Sequence, residues 1–197
     1  MLLTDDAQLW QKAWAYKDHG KDYAAVQLPH RPPGFRWLHE SIGTNWRLTE
    51  MQAAIGRVQL TKLTAWVAAR RRNAALLTRA FAAMGPLRVT VPPEEYAHSY
   101  YKYYVFVRPE HLGQGWNRDR LLQAVNAEGI PCFSGSCSEI YLEQAFSRAG
   151  LQPATRLTVA RQLGETSLMF LVHPTLSDEE LGQTVEAVSK VVRVAGK

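Results

Sequence analysis

The stretch Gly43-Thr44-Asn45-Trp46-Arg47-Leu48-Thr49-Glu50, with the helical run that follows it to about Met84, constrains this chain more than any other feature. Thr49 and Gln52 fit a capping box, in which an N-cap Thr is answered by Gln three positions on. Glu50 falls in the first turn, where a negative charge complements the helix dipole. A Gly, an Asn and an Arg stand just before that turn. Backbone N–H groups at a helix start, a side-chain amide and a guanidinium together can hold an anion such as phosphate. An ordinary loop leading into a well-capped helix fits the same residues.

The chain has 197 residues, 46% hydrophobic and 21% charged, enough to bury a core of one domain or somewhat more. No run approaches the roughly 18 apolar residues of a membrane span. The start, Met1-Leu2-Leu3-Thr4-Asp5-Asp6, has no basic region ahead of an apolar stretch, so neither a signal peptide nor a membrane partner is expected, and the expected setting is cytoplasmic. The net charge of +5 suits an acidic small molecule. Arg70-Arg71-Arg72 is the dense basic run. It reads as a solvated helix face, and no nucleic-acid partner is expected. Cys132 and Cys137 fit no four-ligand zinc pattern and are expected to be reduced thiols.

Taken in order, residues 1–3 read as the end of a strand, and Thr4 as the cap of a helix with Asp5 and Asp6 in its first turn. Leu9, Trp10, Ala13, Trp14 and Lys17 recur at helical spacing up to Gly20. Residues 21–46, with three prolines, read as one long irregular loop, and such loops are often functional. Across 50–84 an apolar stripe follows Met51, Ala54, Ile55 and Val58, then Leu60, Leu63, Val67, Ala74, Leu77 and Phe81. Its face shifts between Gly56 and Leu60, which fits one bent helix or two consecutive ones. Residues 87–91 and 100–107 read as strands. Asn117 caps a helix ended by Gly129. Residues 130–134 read as a short strand, 139–146 as a helical turn, 158–163 as a short helix stopped by Gly164, and 166–172 as a strand. Ser177-Asp178-Glu179-Glu180 is a second capping box, opening a last helix on Leu181, Val185, Val188 and Val192. The order after Gly85, β-β-α-β-α-β-α, suggests a small α+β domain.

His30 and His39 lack a partner at the short spacing of a metal or nucleophile motif, and a surface or structural role fits each. The tyrosine-rich stretch His98 to Tyr104 reads as a half-buried strand, and Glu139 and Glu143 as solvated carboxylates one helical turn apart. There is neither a Walker A loop nor a G-x-G-x-x-G.

The series Gly43-x-Asn45-x-Arg47-x-Thr49-Glu50-x-Gln52-Ala53-Ala54-Ile55-Gly56-x-x-Gln59-Leu60, followed by Arg70-Arg71-Arg72, resembles the pyridoxal-phosphate-dependent sugar aminotransferases of the DegT/DnrJ/EryC1/StrS family. The segment from Thr4 to Gly20 resembles the stretch just after that family's cofactor lysine. Glu128-Gly129-Ile130 and Val172-His173-Pro174 resemble its small domain. The resemblance covers essentially the whole chain and is to the family's C-terminal half.

The fold it implies is α/β: the C-terminal part of a fold-type I pyridoxal-phosphate-dependent transferase, a long linking helix plus a small α+β domain whose sheet packs with helices. Residues 1–48 would be a remnant of the large cofactor-binding domain and its active-site loop, 49–84 the linking helix or helices, and 85–197 the small domain. In the family the Schiff-base lysine, the ring-stacking aromatic and the Asp at the pyridine nitrogen lie upstream of a position equivalent to Met1. The resemblance therefore implies that none of Lys12, Lys17, Lys21, Lys62, Lys102, Lys190 and Lys197 is that lysine, and that no cofactor binds this chain alone. It implies that Asn45 reaches the cofactor phosphate of a neighbouring subunit, hence a homodimer, and that Arg47, His39 and Arg31 lie near the substrate. The sequence Pro131-Cys132-Phe133-Ser134-Gly135-Ser136-Cys137-Ser138-Glu139-Ile140-Tyr141 departs from the family pattern and suggests a distinct subgroup.

The implied activity of the full-length protein is amino transfer from an amino acid, glutamate, to a keto-sugar nucleotide in surface-polysaccharide or related sugar biosynthesis, with this chain inactive alone. Two other readings stand beside it: part of a family sugar dehydratase, and a non-catalytic dimerisation or interaction module.

Overall fold

The computed structural model describes residues 2–28 and 38–197, in two compact units, Met1–Thr61 and Lys62–Lys197. His30 and Arg31 lie outside the described residues.

In the first unit, Asp6 rather than Thr4 caps α1 (Ala7–Lys17). Its Oδ1 accepts the N–H of Gln8 at 2.8 Å and of Leu9 at 3.1 Å, while Thr4 Oγ1 accepts the N–H of Asp6 at 3.1 Å. The carboxylate takes the cap because its charge strengthens both bonds. The strand expected over the first residues is not formed. Leu2 and Leu3 are irregular and exposed, and among the described residues no strand pairs with them. Nor is 21–46 irregular throughout. Asp22 accepts the N–H of Ala25 at 2.6 Å and caps α2 (Tyr23–Gln27). Tyr23 meets the rings of Trp10 and Trp14 edge-on, at 4.8 and 5.0 Å between centroids.

α3 (Glu50–Ala82) is one continuous helix, with no break between Gly56 and Leu60. A glycine in a helix interior costs only about 1 kcal/mol, too little to interrupt the ladder. Its apolar stripe is buried from Ala74 through Leu77 to Phe81, where the second unit's sheet opposes it, while Met51, Ile55, Val58, Leu60 and Leu63 are exposed.

The second unit follows with β1 (Leu87–Val89), β2 (Tyr103–Val107), α4 (Arg118–Ala127), β3 (Cys132–Phe133), α5 (Gln144–Arg148), α6 (Thr158–Thr166), β4 (Ser167–Phe170) and α7 (Asp178–Ala195). The strands form a four-stranded sheet in the order β1-β2-β4-β3, every neighbouring pair antiparallel. Alternation puts Tyr103, Val105 and Val107 into the core with Leu77, Phe81, Leu121, Val125, Phe170, Leu181 and Val188. The buried Tyr103 hydroxyl pairs with Thr78 Oγ1 at 2.9 Å. Asn117 caps α4 through the N–H of Arg120, and Ser177 and Glu180 form the capping box of α7. Asn73, wholly buried, donates from Nδ2 to the carbonyl of His173 at 3.1 Å and ties α3 to the turn before α7.

The strands expected at 87–91, 130–134 and 166–172 are shorter, Leu87–Val89, Cys132–Phe133 and Ser167–Phe170, and two further boundaries differ for a visible reason. The strand expected from residue 100 starts at Tyr103, because Tyr100 adopts φ 47° and breaks the extended run. Gly164 does not stop α6 but lies inside it, where Ser138 Oγ occupies the place a Cβ would take. No described helix is long and apolar enough to cross a membrane.

Candidate functional site

In the first unit the chain leaves α1 at Asp18, turns through His19 and Gly20 with φ of 61° and 81°, and pairs with the segment that carries Asn45. His19 N–H donates to Thr44 O at 3.0 Å, Thr44 N–H to Tyr16 O at 2.7 Å and Trp46 N–H to Lys17 O at 2.9 Å. These bonds set Asn45 opposite Asp18, while Asp22 N–H donating to Leu38 O at 2.7 Å and Glu40 N–H to Gly20 O at 2.9 Å set Lys21 opposite His39.

Asp18 is 8% exposed and sits among cations. Lys21 Nζ lies 3.3 Å and Arg47 Nε 3.6 Å from its Oδ1. Burial pushes the Asp18 carboxyl up, but the Lys21 hydrogen bond and the charges of Lys21, Arg47 and Lys17 outweigh it and hold the group below its ordinary range. Lys21, Arg47 and Lys17 all act on this one carboxylate.

Arg47 Nε also donates to Asn45 Oδ1 at 3.1 Å. A guanidinium only donates, so this bond assigns the amide oxygen of Asn45 and leaves its Nδ2 with two donors. Among the described residues those donors have no partner, and Asn45 is exposed. The helix start contributes less than its sequence suggests. The capping box is closed, with Gln52 N–H donating to Thr49 Oγ1 at 3.3 Å and Thr49 N–H to Gln52 Oε1 at 3.1 Å, so that N–H is already taken. The corner's anion-binding capacity therefore rests on Asn45 Nδ2 and the terminal nitrogens of Arg47.

The structure brings Asn45 and Arg47 together. It places His39 in the same antiparallel return, exposed and without a hydrogen bond to either among the described residues. Asp18, which holds Arg47, was not legible as part of the site. It lies 27 to 29 residues upstream of Asn45 and Arg47, and only the fold closes that gap.

A second polar region lies in the other unit. Arg70 Nη1 donates to the carbonyls of Tyr100 at 3.3 Å and Tyr101 at 2.9 Å, and Arg71 Nε donates to that of His98 at 2.9 Å. The basic run is thus not a free solvated face: two of its arginines clamp a loop, and Arg72 lies 3.9 Å from Asp178. The loop and Ser136 enclose a cavity of about 350 Å³ that presents Lys102, Tyr104 and His98. Ser136 N–H donates to Tyr104 Oη at 3.0 Å, and the Tyr104 ring lies where a side chain on Gly135 (φ 89°) would have to go.

The divergent segment is fixed at its far end. Glu139 is buried, not solvated as expected. Arg156 grips it bidentately at 2.7 and 2.6 Å, and Tyr141 Oη donates to it at 2.6 Å while accepting the N–H of Leu157 at 2.9 Å. The Arg156 and Tyr141 hydrogen bonds hold the Glu139 carboxyl down at about 2. Cys132 is buried, which pushes its thiol up to about 12, and Cys137 is exposed; neither is in a disulfide.

A small antiparallel sheet backed by helices and entered along one long helix is the architecture of the C-terminal part of fold-type I pyridoxal-phosphate-dependent aminotransferases. Residues 1–189 match the DegT/DnrJ/EryC1/StrS aminotransferase family, and the chain belongs to that family. The structure of an aminotransferase from Psychrobacter cryohalolentis superposes with a TM-score of 0.89 at 54% identity, covering 98% of this chain and 51% of that one. A pleiotropic regulatory protein of Geobacillus stearothermophilus is 27% identical over 98% of this chain and 47% of its own length. A UDP-N-acetyl-3-dehydro-alpha-D-glucosamine 3-aminotransferase of Acidithiobacillus ferrooxidans is 26% identical over 98% of this chain and 46% of its own length. The chain spans about half the length of the relatives it matches.

Proposed function

We propose that this chain is the phosphate-anchoring half of a pyridoxal-phosphate-dependent nucleotide-sugar aminotransferase that uses glutamate as amino donor. In this reading residues 1–48 complete a large domain, 49–84 link it to the small domain of 85–197, and a homodimer sets Asn45 against the cofactor phosphate of its neighbour. One observation carries the reading: Arg47 occupies the amide oxygen of Asn45 and leaves its two N–H donors without a partner among the described residues, beside the Arg47 guanidinium. That polarity suits a phosphate and no cation.

Pyridoxal phosphate, when bound, supplies the electron sink for amino transfer. The residues of this chain hold and orient it. Asn45 donates to phosphate oxygens, Arg47 fixes the amide and adds charge, and Asp18 holds Arg47 in place. His39 and Arg31 are assigned to substrate contact in this reading.

The test is a chimera in which this chain replaces the matching half of the Psychrobacter aminotransferase. It is expected to bind pyridoxal phosphate and to transaminate. Asn45→Ala is expected to weaken the cofactor by roughly tenfold, the loss of one hydrogen bond to a charged group. A folded, dimeric chimera with unchanged cofactor affinity in Asn45→Ala would overturn the assignment. The chain by itself is expected to show no visible cofactor band, and borohydride to fix no pyridoxal phosphate to it.

A further inference from the structure

The outer face of the small sheet, opposite its core, carries a feature that the cofactor reading does not use. Arg88 stands across from Phe106 in the β1–β2 register, with its guanidinium carbon 4.4 Å from the ring centroid. Arg108 follows two residues after Phe106 in extended backbone, so it returns to the same face about 7 Å further along the strand. α6 supplies the opposite wall through Arg161 and Glu165. Between them lies a cleft of about 610 Å³, within the range of small-molecule sites.

The charges in this cleft do not cancel. Arg161 and Glu165 pair at 2.8 Å, and Glu165 also lies 4.0 Å from Arg156, so that carboxylate is committed. Glu110 is the second carboxylate that lines the cleft, against the three guanidinium groups of Arg88, Arg108 and Arg161. Arg88 rests on Phe106 and Arg108 donates to the carbonyl of Gly85 at 3.3 Å, and neither meets a carboxylate among the described residues. α6 also begins here, at Thr158, without a side-chain cap. Two guanidinium groups that pair with no carboxylate among the described residues therefore line one side of the cleft, Arg88 across from Phe106 and Arg108 two residues beyond it, an arrangement that suits a ligand with two linked phosphates.

We propose that this cleft binds a diphosphate group, either inorganic pyrophosphate or the diphosphate of a nucleotide. The two guanidinium groups donate to its oxygens, and Phe106 fixes Arg88 so that little side-chain freedom is lost on binding. The site lies within the small unit and is independent of the Asn45 corner.

The test is calorimetric titration of the whole chain with pyrophosphate, orthophosphate and a nucleoside diphosphate. Pyrophosphate is expected to bind more tightly than orthophosphate, with affinity falling as salt rises. Arg88→Gln and Arg108→Gln are each expected to weaken it by roughly tenfold or more. Arg108→Gln guards against a folding defect in the stacked Arg88 variant, and both are checked by thermal melting. Lys190→Gln removes one positive charge on α7, away from the cleft, and is expected to leave binding unchanged. A nucleoside diphosphate that binds more tightly than pyrophosphate identifies the nucleotide as the source, and equal affinity identifies pyrophosphate. No binding at millimolar ligand, or an equal loss in Lys190→Gln, would overturn the proposal. Loss confined to Asn45→Ala would assign the anion to the corner instead and likewise overturn it.

Discussion

Gly43 and Gly20 meet backbone to backbone. A Cβ on Gly43 would run into the nitrogen of Gly20 and stand 2.7 Å from the carbonyl carbon of His19 and 2.8 Å from the carbonyl oxygen of Tyr16. The glycine that opens the Gly-x-Asn-x-Arg series is therefore there for close approach. It lets the return segment lie against α1 so that Asn45 falls opposite Asp18. Gly43→Ala must push these strands apart, at a cost of about 1–3 kcal/mol to the first unit. Hydrogen exchange at the His19, Thr44 and Trp46 amides is expected to accelerate. Gly56→Ala, in open space on α3, is the contrast: it is expected to raise stability by about 0.5–1 kcal/mol. If Gly43→Ala melted like the native chain, close approach would not be the reason for that glycine.

Local chemistry made much of this fold legible. The capping boxes at Thr49/Gln52 and Ser177/Glu180 and the Asn117 cap act within three residues, so their sequence signals and their bonds coincide. The strands of the small sheet fall within the short runs of branched, aromatic and other apolar residues that suggested them, with shorter bounds. What could not be read depends on partners far along the chain. Glu139 and Glu143 look like a solvated pair until Arg156 is brought to Glu139. The arginine run looks like a free helix face until loop 98–101 supplies carbonyls. In the candidate site, Asn45 and Arg47 were legible because they are two residues apart, and Asp18 was not.

The two cysteines give a direct check on the second unit's core. Burial holds Cys132 up at about 12, so almost none of it is thiolate at neutral pH. Cys137 lies on an exposed loop. Iodoacetamide at pH 8 is expected to label one site per native chain, at Cys137, and two in denaturant, with mass spectrometry of the peptides assigning each. Labelling of Cys132 in the native chain at the rate of Cys137 would show that β3 is open.

The arginine clamp predicts an asymmetry within three consecutive residues. Arg70→Ala and Arg71→Ala each remove donors to loop carbonyls and are expected to destabilise by about 1–2 kcal/mol, with faster exchange over residues 98–102. Arg72→Ala removes only an exposed pair with Asp178, worth under about 1 kcal/mol. Three equal effects in thermal melts would return the run to a solvated helix face.

Glu139 sets the acid response of the divergent segment. Its carboxyl is held at about 2, below the ordinary glutamate range, so the folded state favours the ionised form. A lowered folded pKa means that the unfolded chain takes up the proton first as pH falls. The stabilisation is therefore fully present above the ordinary glutamate range and is lost progressively as pH drops from about 5 towards 2. Glu139→Gln keeps the shape but removes the charge that Arg156 and Tyr141 grip. It is expected to lower stability at pH 7 and to flatten the pH dependence over that window, while Glu143→Gln, on the same segment, leaves the slope intact. Denaturant midpoints measured at pH 3, 4, 5 and 7 for the three proteins decide the matter. A Glu139→Gln curve parallel to the native one would place the acid sensitivity elsewhere, with the buried Asp18 carboxylate next in line because its pKa is lowered in the same direction.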